Sequence, residues 1–159
     1  MIADIARFPS PEFPDFPAVD LRIPAGWSPL TVSGSIAALI LDRGPESYSP
    51  NLVVTATRST DLTFDDVADA ARRSASALPD AVPIERTRIV VAERPWDVLQ
   101  YAYSDPRAGT LVQVVASTVL TGSFVVQAIG TVEASEAPTL IAVLRDIVRS
   151  ITLTDRGSD

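Results

Sequence analysis

From Trp96 to Val132 the chain carries three apolar runs separated only by short turns, and this feature constrains the fold more than any other. Trp96 to Tyr103, Thr110 to Leu120 and Ser123 to Val132 are rich in valine and other residues that suit a pleated, half-buried surface. Asp105-Pro-Arg-Ala-Gly109 and Thr121-Gly122 are turn sequences that send the chain straight back on itself. Three strands joined in this way form an antiparallel meander.

Upstream, Val19, Leu21 and Ile23 alternate with Asp20 and Arg22, which predicts a half-buried strand. Ser35 to Asp42 and Asn51 to Arg58 predict two more. Thr63 followed by Asp66 resembles a capping box. The apolar positions after it, Phe64, Val67, Ala68, Ala71, Ala75 and Leu78, form one stripe of a 3.6-residue repeat. Pro79 ends that helix. Pro83 to Ala92 reads as a strand with polar edges, suited to the margin of a sheet. After the meander, Ser135 is positioned to cap a final helix with Pro138 in its first turn. Leu140, Val143, Leu144, Ile147, Val148 and Ile151 supply its buried stripe, and Arg145 and Arg149 its wet face. The expected class is α+β, an antiparallel sheet of about six to seven strands with helices packed on its faces. The expected organisation is an N-terminal arm over 1–18 rich in Phe-Pro pairs, a single domain over 19–153 and a polar tail over 154–159.

Composition narrows the function. The sequence contains no histidine, cysteine or lysine, and all 13 cations are arginines. The commonest general base, the thiol nucleophile, the Schiff-base amine and the soft metal ligands are therefore all missing. Serine and threonine are plentiful but have no histidine or lysine to activate them. There is no nucleophile elbow, phosphate loop or dinucleotide fingerprint. A net charge of −7 disfavours nucleic acid and anionic membrane. No apolar stretch is long enough to span a bilayer. Asp61, Asp65, Asp66 and Asp69 form the densest acidic group. They suit a helix N-terminus, where the dipole favours anions, better than a calcium loop. No catalytic residue, metal ligand or cofactor is predicted.

The candidate binding residues are aromatic: Trp27, Trp96, Tyr101 and Tyr103. Tryptophan and tyrosine often anchor protein interfaces. Packing offers a second reading for each, the tyrosines lying with Leu99 on one strand face beneath a helix.

Phe13-Pro-Asp-Phe-Pro17 together with Asp20-Leu-Arg-Ile-Pro-Ala-Gly-Trp27 resembles the start of the actinobacterial LpqN/LpqT lipoprotein family. The mid-chain helix, the β-meander and a terminal helix ending at Ser150-Ile151 are similar to the landmarks of the PsbP-like α/β/α sandwich. That fold also occurs in a yeast Ran-binding factor and in chaperones of bacterial type VI effectors. The resemblance covers most of Phe13 to Leu153 and implies a non-catalytic role as a lipoprotein, assembly subunit or protein-binding adaptor. It carries over no catalytic residue. LpqN-type lipoproteins have a signal peptide ending in a lipidated cysteine, and this sequence has neither.

The expected function is thus a non-catalytic protein-binding module, an adaptor, chaperone or assembly factor. The alternative is a small-molecule or lipid carrier with an apolar cavity. The expected partner is a protein not yet identified, without nucleic acid or a membrane span, and a homodimer is possible through a strand edge or the final helix. As written, the chain is expected in the cytoplasm, or outside it if a leader has been removed.

Overall fold

The computed structural model describes residues 15–120 and 124–156. Phe8-Pro9, Phe13-Pro14 and the Thr121-Gly122 turn lie outside these residues. The strands are β1 (Ala18–Asp20), β2 (Ser28–Pro29), β3 (Ala37–Ile40), β4 (Asn51–Arg58), β5 (Val82–Val91), β6 (Arg94–Asp105), β7 (Gly109–Leu120), β8 (Phe124–Glu133) and β9 (Thr152–Thr154). The helices are α1 (Phe64–Ser76), between β4 and β5, and α2 (Ala137–Arg149), between β8 and β9. Seven strands form one antiparallel sheet in the order β2-β3-β4-β8-β7-β6-β5. The predicted meander is its centre, and the strand with polar margins, β5, is an edge.

Side chains alternate across this sheet, so its two faces have different compositions. One face presents Leu52, Val54, Val98, Val112, Val114, Ala116, Ala128 and Val132, and α2 closes it with Leu140, Leu144, Ile147 and Val148. Gly130 lets α2 approach closely, because a Cβ there would lie 2.8 Å from both Leu144 methyls. The other face is covered by α1, which lies over β6 and β7. Its smaller cluster is Ala71, Ala75, Leu99, Tyr101 and Val115. The architecture is the expected α/β/α sandwich.

Local structure follows the sequence closely at α1. Thr63 Oγ1 accepts from the Asp66 N–H and Asp66 accepts from the Thr63 N–H, both at 3.1 Å, which completes the capping box. The Thr63 backbone N–H, with the Thr63 hydroxyl adding to it, holds the Asp66 carboxyl below the usual carboxylate range.

Three details differ from expectation. The first strand does not join the main sheet. Pro24 follows Ile23, and Ala18–Asp20 pairs instead with Thr152–Thr154 in a separate two-stranded ribbon. Thr154, the first residue of the expected polar tail, is thereby paired with Ala18, a partner distant in sequence. Ser135 does not cap α2. The N-cap is Glu136, whose backbone is helical at φ −96° and ψ −8°, and it makes no side-chain cap bond. Tight-turn hydrogen bonds from Glu136 N to Glu133 O and from Ala137 N to Ala134 O lead into the helix, whereas a capping residue usually needs an extended backbone. Arg145 is not on the wet face. Its side chain is 16% exposed and donates to Glu85 at 3.0 Å and Gln100 at 2.9 Å, which ties α2 to β5 and β6.

Candidate functional site

The small residues that let α1 sit low on the sheet also leave space beside it. An open groove of about 440 Å³ runs between α1 and the edge strand β5. Arg72 and Ala75 line it from α1, Pro83, Ile84 and Arg86 from β5, and Leu99 and Tyr101 from β6. A β-bulge between Pro83 and Glu85 makes Ile84 an extra residue against β6. The turn entering β5 places Asp80 at φ 53° and is fastened to β6 by the Ser104 N–H on Pro79 O at 2.9 Å.

Strand β5 is ten residues long and, among the described residues, pairs only with β6. Val82, Ile84 and Val90 on it are 57%, 51% and 73% exposed, values unusual for large aliphatic side chains on a strand. Its hairpin with β6 turns through Ala92 and Glu93, both with positive φ and neither a glycine.

At one end of this face lies a charged cluster. Asp97 is 1% exposed, and its Oδ1 accepts from Arg86 Nε at 3.1 Å, with Arg88 Nε at 3.7 Å. Asp97 Oδ2 and Thr87 Oγ1 are buried without a hydrogen-bond partner. Arg88 also reaches Asp65 at 2.8 Å and stacks over the Phe64 ring at 5.0 Å. From Asp97 a polar row crosses the strands through Ser117 and Gln127 to Thr55. The Gln127 amide donates to Ser117 Oγ at 3.1 Å.

At the other end lies an aromatic network. The Tyr101 hydroxyl donates to Gln113 Oε1. The Gln113 amide donates to the Tyr103 hydroxyl at 3.3 Å and to Thr131 Oγ1 at 3.0 Å. Burial, with a smaller contribution from Tyr103, pushes the Tyr101 phenol up to about 12. Burial also raises Tyr103, with Tyr48 and Asp105 adding to it.

The four aromatic candidates separate. Tyr101 and Tyr103 stay together with ring centroids 6.1 Å apart, and Tyr101 lines the groove. Trp27 and Trp96 belong to the core cluster shared with α2, at 7% and 1% exposed. Arg72, Ile84, Arg86 and Asp97 were not singled out from the sequence. The available signal was an aspartate inside the otherwise apolar Trp96–Tyr103 run, facing two arginines two residues apart on a marginal strand. Three of the four acids of the 61–69 segment take local roles. Asp66 completes the cap, Asp65 binds Arg88, and Asp69 lies 4.0 Å from Arg72. Among the described residues, no three acidic side chains converge as a metal site.

No protein-family model matches the chain, and no curated protein matches it in sequence. Solved structures do. LpqN of Mycobacterium tuberculosis, involved in cell envelope biogenesis, superposes with a TM-score of 0.71 at 20% identity, over 87% of this chain and 84% of that one. The cyanobacterial PsbP of Synechocystis superposes at 0.62 with 14% identity, over 86% of each chain. The fold is that of LpqN and PsbP. This PsbP-like fold extends to the Ran-binding protein Mog1p of Saccharomyces cerevisiae, at TM-score 0.55 and 12% identity over 85% of this chain and 89% of that one. No helix among the described residues is long and apolar enough to cross a membrane.

Proposed function

We propose that this PsbP-like chain is a non-catalytic protein-binding module of the adaptor, chaperone or assembly-factor type, and that its partner docks in the groove between α1 and β5. One observation carries the reading: a long edge strand, unpaired on its outer side among the described residues, presents exposed aliphatic residues beside an open groove lined by Arg72, Arg86 and Tyr101. Free strand edges are sites where another chain adds its own backbone hydrogen bonds. The absence of histidine, cysteine and lysine from the sequence, and the protein-binding role of one structural relative, support the same conclusion.

The test is capture of partners from the source organism by the tagged protein, beside Ile84→Asp and Val90→Asp variants, with native mass spectrometry of what is recovered. The expected result is a stoichiometric protein partner lost from both variants. Capture indifferent to both substitutions would remove the groove from the reading. Recovery of a lipid or metabolite alone would replace the module with a carrier.

A further inference from the structure

We infer that the occupant of this edge is an extended segment of a partner protein that carries both carboxylate and apolar side chains. The inference rests on the protein-binding reading above and specifies the chemistry of the partner.

Three observations support it. First, β5 offers a backbone edge of ten residues, and among the described residues no other strand pairs with its outer side. An incoming segment must therefore be extended to use it. Second, the groove is lined by two arginines, Arg72 and Arg86, and by one acid, Glu85, which Arg145 of α2 pairs at 3.0 Å. Arg86 and Arg88 lie two residues apart, so both project from the same face of the strand, and Arg72 of α1 lines the groove near them. Their acidic neighbours are placed so that they do not cancel this positive charge at the edge. Asp97 lies beneath the arginines at 1% exposure, and Arg86 and Arg88 both approach it through Nε. Glu85, the acid on the strand itself, is held by Arg145 of α2. Arg72 is only loosely held by Asp69, at 4.0 Å between exposed side chains. Asp65, half of the Arg88 pair, is 74% exposed and belongs to α1, not to the edge. Third, Ile84 and Val90 flank the arginine pair along β5 and are exposed, so an apolar position lies on either side of the cationic ones.

A second copy of the chain fits this edge poorly. In a symmetric antiparallel β5 pair that continues the sheet, side chains of like parity face each other. Registers centred on Arg86, Thr87 or Arg88 then set arginine against arginine. Like charges directly opposite across a strand pair are destabilising, and opposite charges are favourable. The same arginines that discourage self-pairing select a strand bearing carboxylates. An arginine guanidinium presents a planar fork that accepts a carboxylate through two parallel hydrogen bonds.

The test uses a capped peptide as long as β5 that alternates glutamate and valine, with glutamine and lysine counterparts of the same pattern, titrated into the full chain labelled for amide NMR. The expected result is chemical-shift change and slowed amide exchange along β5 and at Arg72 to Ser76. The glutamine peptide should bind about tenfold more weakly, as loss of charge-assisted hydrogen bonds requires. The lysine peptide should leave the spectrum unchanged, and added salt should weaken the glutamate peptide. Arg72→Glu, whose native partner is distant and exposed, should weaken that peptide while preserving circular dichroism and melting temperature.

Equal affinity for the glutamate and glutamine peptides would overturn the inference. So would shifts located away from β5, the absence of any shift at millimolar peptide, or a dimer in sedimentation whose β5 amides become protected. If the peptide fails while Ile84→Asp still abolishes capture of a protein, the acidic strand falls and the binding module stands. If that substitution leaves capture unchanged, the groove itself is at fault.

Discussion

The two faces of the sheet are built from the same strands yet held in different ways. Under α2 the contacts are aliphatic and continuous, from Leu39 and Leu52 through Val114 and Val132 to Leu144 and Ile151. Under α1 the apolar cluster is small, and the neighbouring positions belong to polar networks around Asp97 and Gln113. Hydrophobic burial is non-directional and scales with area, so the first face tolerates few demands beyond volume. Buried polar groups must each find a partner, so the second face is specified by geometry. The exposed groove and the free edge lie on the second face, where less of the sheet has been given over to core.

The largest expected effect tests the aliphatic face. Leu144→Ala should cost about 3–5 kcal/mol in urea unfolding, since Leu144 is fully buried and the close approach at Gly130 leaves a defined cavity behind. Ala71→Gly under α1 should cost only about 1 kcal/mol, mainly as helix propensity. Equal costs would break the comparison. Next comes the charged end of the α1 face. The double variant Arg86→Ala, Arg88→Ala leaves the Asp97 carboxylate buried without its cations. The loss should be about 2–3 kcal/mol, below the usual cost of a broken buried pair because Arg86 is 38% exposed. Adding Asp97→Val should recover much of it, and failure to do so would mean that the cluster is not held by charge compensation.

A smaller effect of opposite sign is expected at the edge hairpin. Glu93→Gly, at φ 67°, should raise stability by about 1–2 kcal/mol by relieving a left-handed conformation that glycine adopts freely. Thermal melting would show it.

The smallest effect is in the tyrosine network, where Tyr101→Phe should cost about 1 kcal/mol for the Gln113 oxygen left without its donor. It should also alter the alkaline limb of stability. Because the folded Tyr101 value lies at about 12, above its ordinary value, the folded state keeps a proton that the unfolded state loses. Stability should therefore fall as pH rises from the ordinary tyrosine value toward about 12. Ultraviolet titration of tyrosinate should lose its latest step in the Tyr101→Phe protein.

Much of the fold was legible because it rests on period. The apolar runs of the meander predict its strands, and the stripes from Val67 to Ala75 and from Leu140 to Ile151 predict side chains that are buried, apart from the half-buried Val143. What was missed depends on partners remote in the chain. Arg145 looked solvated on its own helix until β5 and β6 supplied Glu85 and Gln100. Thr154, the first residue of the expected tail, pairs with Ala18 in the β1–β9 ribbon. The site shows the same division. Tyr101 and Tyr103 share a face by alternation, whereas the convergence of Arg72 with Arg86 needs α1 to settle beside β5.

The sequence by itself determined an antiparallel α+β sandwich and removed most of the usual catalytic chemistry, because periodicity and composition are local properties. Tertiary structure decided which strand remained an edge, which arginines gathered there and which carboxylate was buried beneath them. Those outcomes depend on strand order and on the depth at which each helix packs, and both are settled only when distant segments compete for the same apolar surface.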